Sequence, residues 1–275
     1  HQAYFGAGWE MFKGFSVGAN IANNKGEINR SVVNSYSNSN VNTLSKYYSA
    51  TVNSYKLDFG VQYELPLNKK NTLTLGATYS LGHELSCTPT CEVISTNSTT
   101  GVADTTSYSV KNGFEIPMQL AAGMMWNHNE KLKLGADFQY QKWGDCQFPV
   151  YQVVNDKPQY SLSNNYYSDR YKVTFGGEFC SNPTSRRFIN RVRFRAGASY
   201  ASPYLNINGQ DGPKEISVSA GFGIPIMNNY NNRSILNISG QWVQTSGKGM
   251  LKENTFRINI GMTFNERWFM KWKVD

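Results

Sequence analysis

Eleven charged residues of both signs occupy the polar positions of segments in which polar and apolar residues alternate. They are Lys56, Asp58, Glu64, Glu115, Lys133, Asp137, Lys172, Glu178, Arg193, Arg195 and Arg257. Charges of both signs on one face of a sheet can neutralise each other as a cross-strand ion-pair lattice that fills a narrow barrel. Alternatively, some of them line a substrate path, and mixed signs would not suit a single small ion. The pattern leaves both interpretations open.

Signatures of catalysis are missing from the sequence. The three histidines, His1, His83 and His128, are isolated along the chain. No His-Glu-x-x-His motif or glycine-rich phosphate loop occurs. We therefore predict that the chain is not an enzyme and uses no cofactor.

The chain is basic, with a formal net charge of +8. In a soluble protein this charge would raise the question of nucleic-acid binding. However, no run of Lys and Arg is longer than two residues, as in Lys69-Lys70 and Arg186-Arg187. We predict no nucleic-acid partner. A basic face over anionic lipid headgroups, or a basic lumen, accounts for the charge equally well.

Two of the four cysteines, Cys87 and Cys91, flank a Thr-Pro-Thr segment that reads as a loop. In an oxidising compartment this spacing predicts a local disulfide, with two free thiols as the alternative. A zinc site would need two further ligands, and His83 is the only neutral candidate nearby. We therefore predict no metal.

The charged positions belong to segments with a two-residue period, which is typical of β-strands with two different faces. The period is unbroken over residues 132–141 and 55–65. About eleven such segments lie near residues 3–12, 15–30, 44–66, 71–86, 106–127, 131–145, 167–180, 191–203, 214–227, 233–246 and 252–269. Most reach the nine to eleven residues that a tilted strand needs to cross a hydrocarbon layer.

Composition favours a membrane barrel over other membrane or soluble folds. No run of eighteen apolar residues occurs and the mean hydropathy is −0.49, which excludes a helical membrane protein. Charged residues make up 17% of the chain, against about 25% in soluble domains. The sequence predicts one all-β domain over residues 1–275, a transmembrane antiparallel up-and-down β-barrel of a bacterial outer membrane.

Short and long connections alternate along the chain, which predicts the orientation of the barrel. Short turns lie at residues 13–14, 68–70, 127–131 and 228–233, and long polar connections at 23–48, 87–108, 145–169, 203–213 and 246–253. Barrels of this class carry their long loops outside, so we expect the long set at the exterior. Eleven is an odd number, whereas such barrels are normally even, so either at least one more strand lies upstream or the count is off by one in the region 15–48.

Pro117 is a candidate kink in a wall strand. A proline removes one ladder hydrogen bond and must sit at a bulge, a kink or a strand end. Pro225, close to a short turn, is interpreted as a strand end instead. Aromatic residues near predicted strand ends are interpreted as an interfacial girdle. They are Trp9, Tyr63, Trp126, Trp143, Trp242 and Trp268.

Three stretches resemble FadL-type outer-membrane transporters of long-chain fatty acids and other hydrophobic compounds. These are the glycine-aromatic hairpin at 5–21, the strand start Phe-Glu-Ile-Pro-Met-Gln-Leu at 114–120, and residues 132–143. The resemblance implies a fourteen-stranded barrel with an N-terminal hatch and lateral ligand release through a kinked wall strand. The chain shows neither the hatch nor the first strands, so it corresponds to the C-terminal barrel part. Residues 265–275 form a basic aromatic tail that departs from the usual ending.

The expected function is passive outer-membrane transport of hydrophobic small molecules, with long-chain fatty acids as the expected ligands. The alternative is an accessory barrel subunit of a larger outer-membrane assembly, because the long loops are rich in Asn, Ser and Tyr. The expected partners are membrane lipid or detergent, a hydrophobic ligand and, under the alternative, other outer-membrane proteins.

Overall fold

The computed structural model describes residues 1–38, 40–207, 209–227 and 233–263. Residues 228–232 of the predicted short turn and the predicted tail at 265–275 lie outside the described residues. None of the helices in the described ranges is long and apolar enough to span a membrane.

Strands account for most of the described chain. In chain order they are β1 (Gln2–Phe12), β2 (Phe15–Asn34), β3 (Thr43–Asn68), β4 (Asn71–Ser80), β5 (His83–Glu84), β6 (Thr90–Thr96), β7 (Ala103–Ser109), β8 (Glu115–Ile116), β9 (Gln119–His128), β10 (Leu132–Gln141), β11 (Phe148–Val154), β12 (Lys157–Ser163), β13 (Arg170–Phe179), β14 (Arg193–Ala201), β15 (Asn206–Ile207), β16 (Gln210–Asp211), β17 (Lys214–Met227), β18 (Arg233–Ser246) and β19 (Glu253–Thr263). A 3₁₀ turn spans Trp143–Asp145, and helix α1 spans Phe188–Arg191.

Eleven of these strands form one antiparallel wall in the order β1-β2-β3-β4-β9-β10-β13-β14-β17-β18-β19. The register keeps like positions level across strands, so Asp137 stands beside Gly123 and Thr174 while Phe138 stands beside Ala122 and Val173. Polar positions therefore share one face of the wall. The predicted all-β, antiparallel barrel-type fold is confirmed.

The two outermost strands of the wall have no partner on their free sides. Among the described strands, β1 pairs only with β2 and β19 only with β18. All eleven residues of β1 are exposed, as are ten of the eleven residues of β19. Unpaired backbone groups are costly in hydrocarbon, so both edges need a pairing partner when the wall is in a membrane.

The short turns lie where the alternation predicts them. Gly14 has a φ of 82°, which only glycine adopts freely, and it closes the β1–β2 turn. Asn129 and Glu130, with φ values of 53° and 58°, close the β9–β10 hairpin. Two successive positive φ values are the geometry of a type I′ hairpin turn.

The connection between β2 and β3 is much shorter than the sequence indicates. These strands have 20 and 26 residues and leave only residues 35–42 between them, whereas a loop over 23–48 is predicted. Both strands continue past the membrane-spanning length as a polar hairpin, and β6 and β7 add to it beside β3. With water on both faces, these extensions have no apolar period to reveal them.

The long connections fold into a compact unit, which we call the cap and define as residues 81–118 and 142–169. Its centre contains Cys87, Pro89, Cys91 and Cys146, all buried. The Trp143 ring lies with its centroid 5.2 Å from those of Tyr167 and Tyr204, tilted by 38° to each, so it packs in the cap and not in a girdle. Burial raises the pKa of Tyr160 and of Tyr167 to about 12. The cap therefore has a dry core of its own.

Candidate functional site

A cavity of about 1250 Å³ lies along the polar face of the wall. Its lining includes seven of the predicted charged residues, together with uncharged residues of the wall such as Phe59, Met124 and Phe138. The charged ones are Lys56, Asp58, Lys133, Asp137, Lys172, Glu178 and Arg193. The cavity therefore carries charges of both signs, as the alternation predicts.

Part of this charge is already neutralised by ion pairs. Lys56 Nζ lies 2.8 Å from Asp58 Oδ1, and Asp58 also accepts a hydrogen bond from the Ser80 hydroxyl. Glu178 accepts hydrogen bonds from Arg193 Nη1 at 3.0 Å and Arg195 Nε at 2.7 Å. The Glu178 contacts cross from β13 to β14, as the lattice interpretation expects, whereas Lys56 and Asp58 pair within β3.

Asp137 and Lys172 are different, because neither has an ion-pair partner among the described residues. Asp137 stands opposite Thr174, and Lys172 stands opposite Gln139, so the two charges are diagonal neighbours across β10 and β13. Such diagonal positions are about 7–8 Å apart, which a long lysine side chain can span, but the Lys172 ammonium is not within ion-pair distance of the Asp137 carboxylate. Both charges are available to water or to a solute in the cavity.

Glycines line the middle of the cavity wall in cross-strand register. Gly18 pairs with Gly60, Gly76 with Gly123, and Gly135 with Gly176. A Cβ atom on Gly123 would overlap the Asp137 carboxylate. Because these glycines have no side chains, polar side chains of adjacent strands such as Asp137 occupy the space beside them.

The other predicted site residues lie away from the cavity lining. Glu64 is exposed at the short-turn end, where its backbone nitrogen donates to Gly14. Arg195 faces the polar side but is held by Glu178 and by Asn237 at 2.6 Å. Arg257 is exposed on β19. Glu115 lies in the cap, where burial raises its pKa and its carboxylate accepts a hydrogen bond from the Gln147 nitrogen. The sequence placed Glu115 on the polar face of a long strand and gave no sign that the strand is interrupted next to it.

Pro117 lies at an interruption of the wall. The ladder between β4 and β9 ends at Ser80 and Gln119, and pairing resumes in the same register at His83 and Ile116. Between these pairs, Leu81 donates to Leu57 and Lys142 donates to Met118, so the backbone bonds to other neighbours. The strands still touch, because a Cβ atom on Gly82 would overlap the Met118 nitrogen.

Two spaces that share part of their lining approach this interruption. The cavity on the polar face reaches Ser80 and Gln119, which are the last paired residues of the β4–β9 ladder before the interruption. A second pocket of about 350 Å³ shares eight of its ten lining residues with the cavity, and the two that it does not share, Tyr79 and Leu120, belong to the apolar face. Phe59, Val61, Ala77, Ala122 and Phe138 also line that pocket, so it is largely apolar.

The model of the BamG family matches the chain over residues 1–275. The chain belongs to the BamG family. Comparison with the curated protein sequences gave no match.

Solved structures similar to this BamG-family chain are named as hydrocarbon channels. CymD, a monoaromatic hydrocarbon channel, has a TM-score of 0.62 at 16% identity, covering 96% of this chain and 72% of its own. The toluene transporter TbuX of Ralstonia pickettii has a TM-score of 0.63 at 14% identity, covering 96% and 67%. A Pseudomonas aeruginosa FadL homologue has 0.61 at 13%, covering 90% and 59%. The resemblance to FadL-type barrels is confirmed for the fold.

One serine–histidine contact in the BamG-family chain escaped the sequence analysis. Ser54 Oγ lies 3.0 Å from His83 Nε2, and His83 stacks on Tyr55 at 4.3 Å. In a nucleophile–base pair the other ring nitrogen is held by an acid. Here His83 Nδ1 is buried without a partner among the described atoms, and Ser54 is itself buried. The pair lacks the orienting group, and the two residues are too far apart in sequence for a motif.

The cysteines are free thiols, so the predicted disulfide is not formed. Between Cys87 and Cys91 the chain makes no turn, and Cys91 already lies in β6 beside Tyr48. A disulfide requires Cα atoms within about 7 Å, which favours a reversal of the chain between the two residues. In the described part of the chain, no three potential ligands cluster in a way that could hold a metal ion.

Proposed function

We propose that this BamG-family chain is an outer-membrane barrel that passes hydrophobic small molecules passively, with long-chain fatty acids as the first class to test. The observation that carries the proposal is the interrupted ladder at Pro117, flanked by the cavity and by the apolar pocket. The named activities of the hydrocarbon channels with the same fold support it.

The route follows from the chemistry of the two spaces. A ligand with a polar head and an apolar body meets unpaired charges at Asp137 and Lys172 inside the cavity. Leaving sideways into lipid requires the strands to separate where no ladder bonds join them. Breaking buried backbone bonds costs several kcal/mol each in hydrocarbon, so an interruption is where separation costs least. Leu81 and Met118, both half-buried, give the exit an apolar surface, whereas Pro117 is itself buried.

Replacing Pro117 with Ala tests this route. The substitution restores a backbone donor and should let the ladder close. Fatty-acid uptake by cells that carry the variant should fall, while assembly and heat stability stay level or improve. Pro225→Ala is the matched control, since Pro225 lies in wall strand β17 opposite Ile235, away from the interruption. Normal uptake in a correctly assembled Pro117→Ala barrel would remove lateral exit from the proposal.

The orientation can be tested independently. We expect the cap to face the exterior, as long loops do in this class of barrel. Protease added to intact cells should then cut between β2 and β3, where residues 35–38 and 40–42 are exposed, or in the β11–β12 turn at Asn155. Cleavage confined to Asn129 and Glu130 would reverse the orientation.

A second candidate is an accessory barrel subunit of a larger outer-membrane assembly. The folded cap favours it, because loops held by their own core offer partners a pre-organised surface at low entropic cost. Membership of the BamG family also supports an association with other outer-membrane proteins. Native mass spectrometry after mild detergent extraction distinguishes the candidates: partner proteins in stable ratio, with uptake unaffected by Pro117→Ala, would favour the subunit.

A further inference from the structure

Six exposed cations surround the short-turn end of the wall. They are Lys13, Lys69, Lys70, Lys131, Arg186 and Arg187, and they lie on four successive connections. Within the described ranges none of them has an ion-pair partner. Of the nearby carboxylates, Glu10 accepts from the Gly14 nitrogen and Glu130 pairs with Lys133. The exposed Glu64 carboxylate has no ion-pair partner among the described residues, so unpaired cations outnumber unpaired carboxylates at this end. We call these six residues the basic rim.

Hydrogen bonds join the connections to one another. The Glu64 nitrogen donates to Gly14 at 2.7 Å, the Asn129 nitrogen to Lys70 at 2.6 Å, and the Cys180 nitrogen to Lys131 at 2.7 Å. Each bond links one turn to the strand or turn that follows around the wall. The basic rim is therefore a continuous, ordered surface and not a set of independent loops.

The fourth connection is the most elaborate. Asn182 donates to Asn190 at 2.8 Å, and Arg191 Nη1 donates to the Ser185 carbonyl at 3.3 Å, so the base of this connection is closed. Its tip then presents four consecutive exposed residues, Arg186, Arg187, Phe188 and Ile189. Phe188 is 52% exposed and Ile189 is 61% exposed. Two cations beside two apolar side chains form an amphipathic tip.

The tip starts just beyond the aromatic end of the wall. Cys180 follows Phe179, which pairs with Phe194, and both aromatic side chains are about half exposed on the apolar face. Aromatic residues at strand ends mark the boundary of the hydrocarbon layer. The tip, a few residues further along the chain, therefore lies at the depth of the lipid headgroups.

We propose that the basic rim binds the headgroups of anionic phospholipids, with Phe188 and Ile189 reaching the acyl boundary. The proposal rests on the membrane-spanning wall of the proposed function. Lipid is favoured over an acidic protein because the cations are distributed over four connections around the wall. A planar layer of headgroups meets all four at once, whereas a protein surface would meet one or two. Arg and Lys attract anionic headgroups over roughly a Debye length.

The test is lipid binding by the whole purified protein. The detergent-solubilised chain is titrated with phosphatidylglycerol or phosphatidylethanolamine, and native mass spectrometry counts the bound lipids. Wild type should retain phosphatidylglycerol in preference, by about fivefold or more, and added salt should reduce this preference. Arg186→Glu with Arg187→Glu should remove most of it. Phe188→Ala with Ile189→Ala should shorten lipid retention without changing headgroup preference.

Lys111→Glu with Lys157→Glu is the matched control, since both lysines are exposed in the cap and lack ion pairs in the described structure. This control should keep the wild-type preference. Equal binding of both lipids by wild type would overturn the proposal, as would an equal loss in the control. Release of a co-purifying acidic protein by the Arg186 and Arg187 substitutions, with phosphatidylglycerol binding intact, would replace lipid by a protein partner. Uptake in the Pro117→Ala barrel reports on transport separately.

Discussion

The wall and the cap are stabilised in different ways within one chain. In the wall, large apolar side chains stand exposed, with Phe256 at 80% and Ile260 at 71%. In the cap, Cys91 is fully buried and Cys146 is 3% exposed. The wall is held by backbone ladders that lipid makes strong, since hydrocarbon offers no competing hydrogen bonds. The cap is held by apolar burial away from water.

The difference shows what a substitution should do in each region. On the wall, the decisive property of a position is which face it occupies. In the cap, the decisive property is how much volume the packed core can accept. Four predictions test this contrast, from the largest expected effect to the smallest.

The dryness of the cap should be visible in the reactivity of its thiols. Burial, followed by the nearby Glu115, Asp145 and Asp169 carboxylates, raises the pKa of Cys146 from 9.0 to about 12. At neutral pH the thiolate fraction should fall about a thousandfold, so maleimide labelling of Cys146 in the native protein should slow correspondingly. Mass spectrometry of labelled peptides measures this rate. After denaturation without reductant all four cysteines should label, and failure of Cys87 and Cys91 alone would indicate a disulfide.

Arginine on the apolar face of the wall should be costly. Phe138→Arg and Ile260→Arg are each expected to lose about 2–4 kcal/mol of unfolding free energy if they lie near the bilayer midplane. Gln139→Arg and Asn259→Arg, one position away on the polar face, should lose much less. Urea unfolding in vesicles measures all four. Equal costs on the two faces would contradict the assignment of the wall.

Added volume in the cap core should loosen the cap alone. A Cβ atom on Gly113 would lie 2.5 Å from Pro89 Cγ, so Gly113→Ala should cost about 1–3 kcal/mol. Gly26→Ala is the control, because no atom lies within 4 Å of a Cβ there. Limited proteolysis of the cap should accelerate only in the first variant, with the heat-modifiable gel shift of the barrel unchanged. A lost gel shift would mean that cap and wall unfold together.

The carboxyl group of Glu115 should give the smallest effect. Burial raises its pKa, with the Glu84 and Asp145 charges adding to the increase. A raised pKa in the folded state means that stability is fully present below the unfolded value near pH 4 and is lost as pH rises through the folded value. Glu115→Gln should therefore stabilise the cap at pH 8 and slow its proteolysis. The gain in the free energy of cap opening should be less than about 1 kcal/mol, because water screens this partly exposed group. At pH 4 the variant and wild type should match, and a larger gain there would reverse the assigned cause.

Strand alternation was enough to place the wall and its two faces. The two-residue period is a local property, so Lys56, Asp58, Asp137 and Arg193 could be assigned to the polar face from sequence, and the structure places all four on the cavity. The same period wrongly assigned Glu115 to the wall. The ladder is interrupted at Pro117 and Gly82, between Glu115 and the wall strand β9. A break in a ladder depends on the opposite strand, which the local period does not contain.

Pairing, packing and the cap were decided only by the tertiary structure. Glu178 meets Arg193 and Arg195 because the register sets β13 beside β14, and Ser54 meets His83 across 29 residues of chain. Cys87 and Cys91 are free thiols although they are only four positions apart, and Cys91 is held in β6 beside Tyr48. Polar loops have no apolar period, so their sequence carries no local signal of the fold they adopt. Their structure comes from contacts between residues distant in the chain, such as Ser54 with His83, which a local period does not contain.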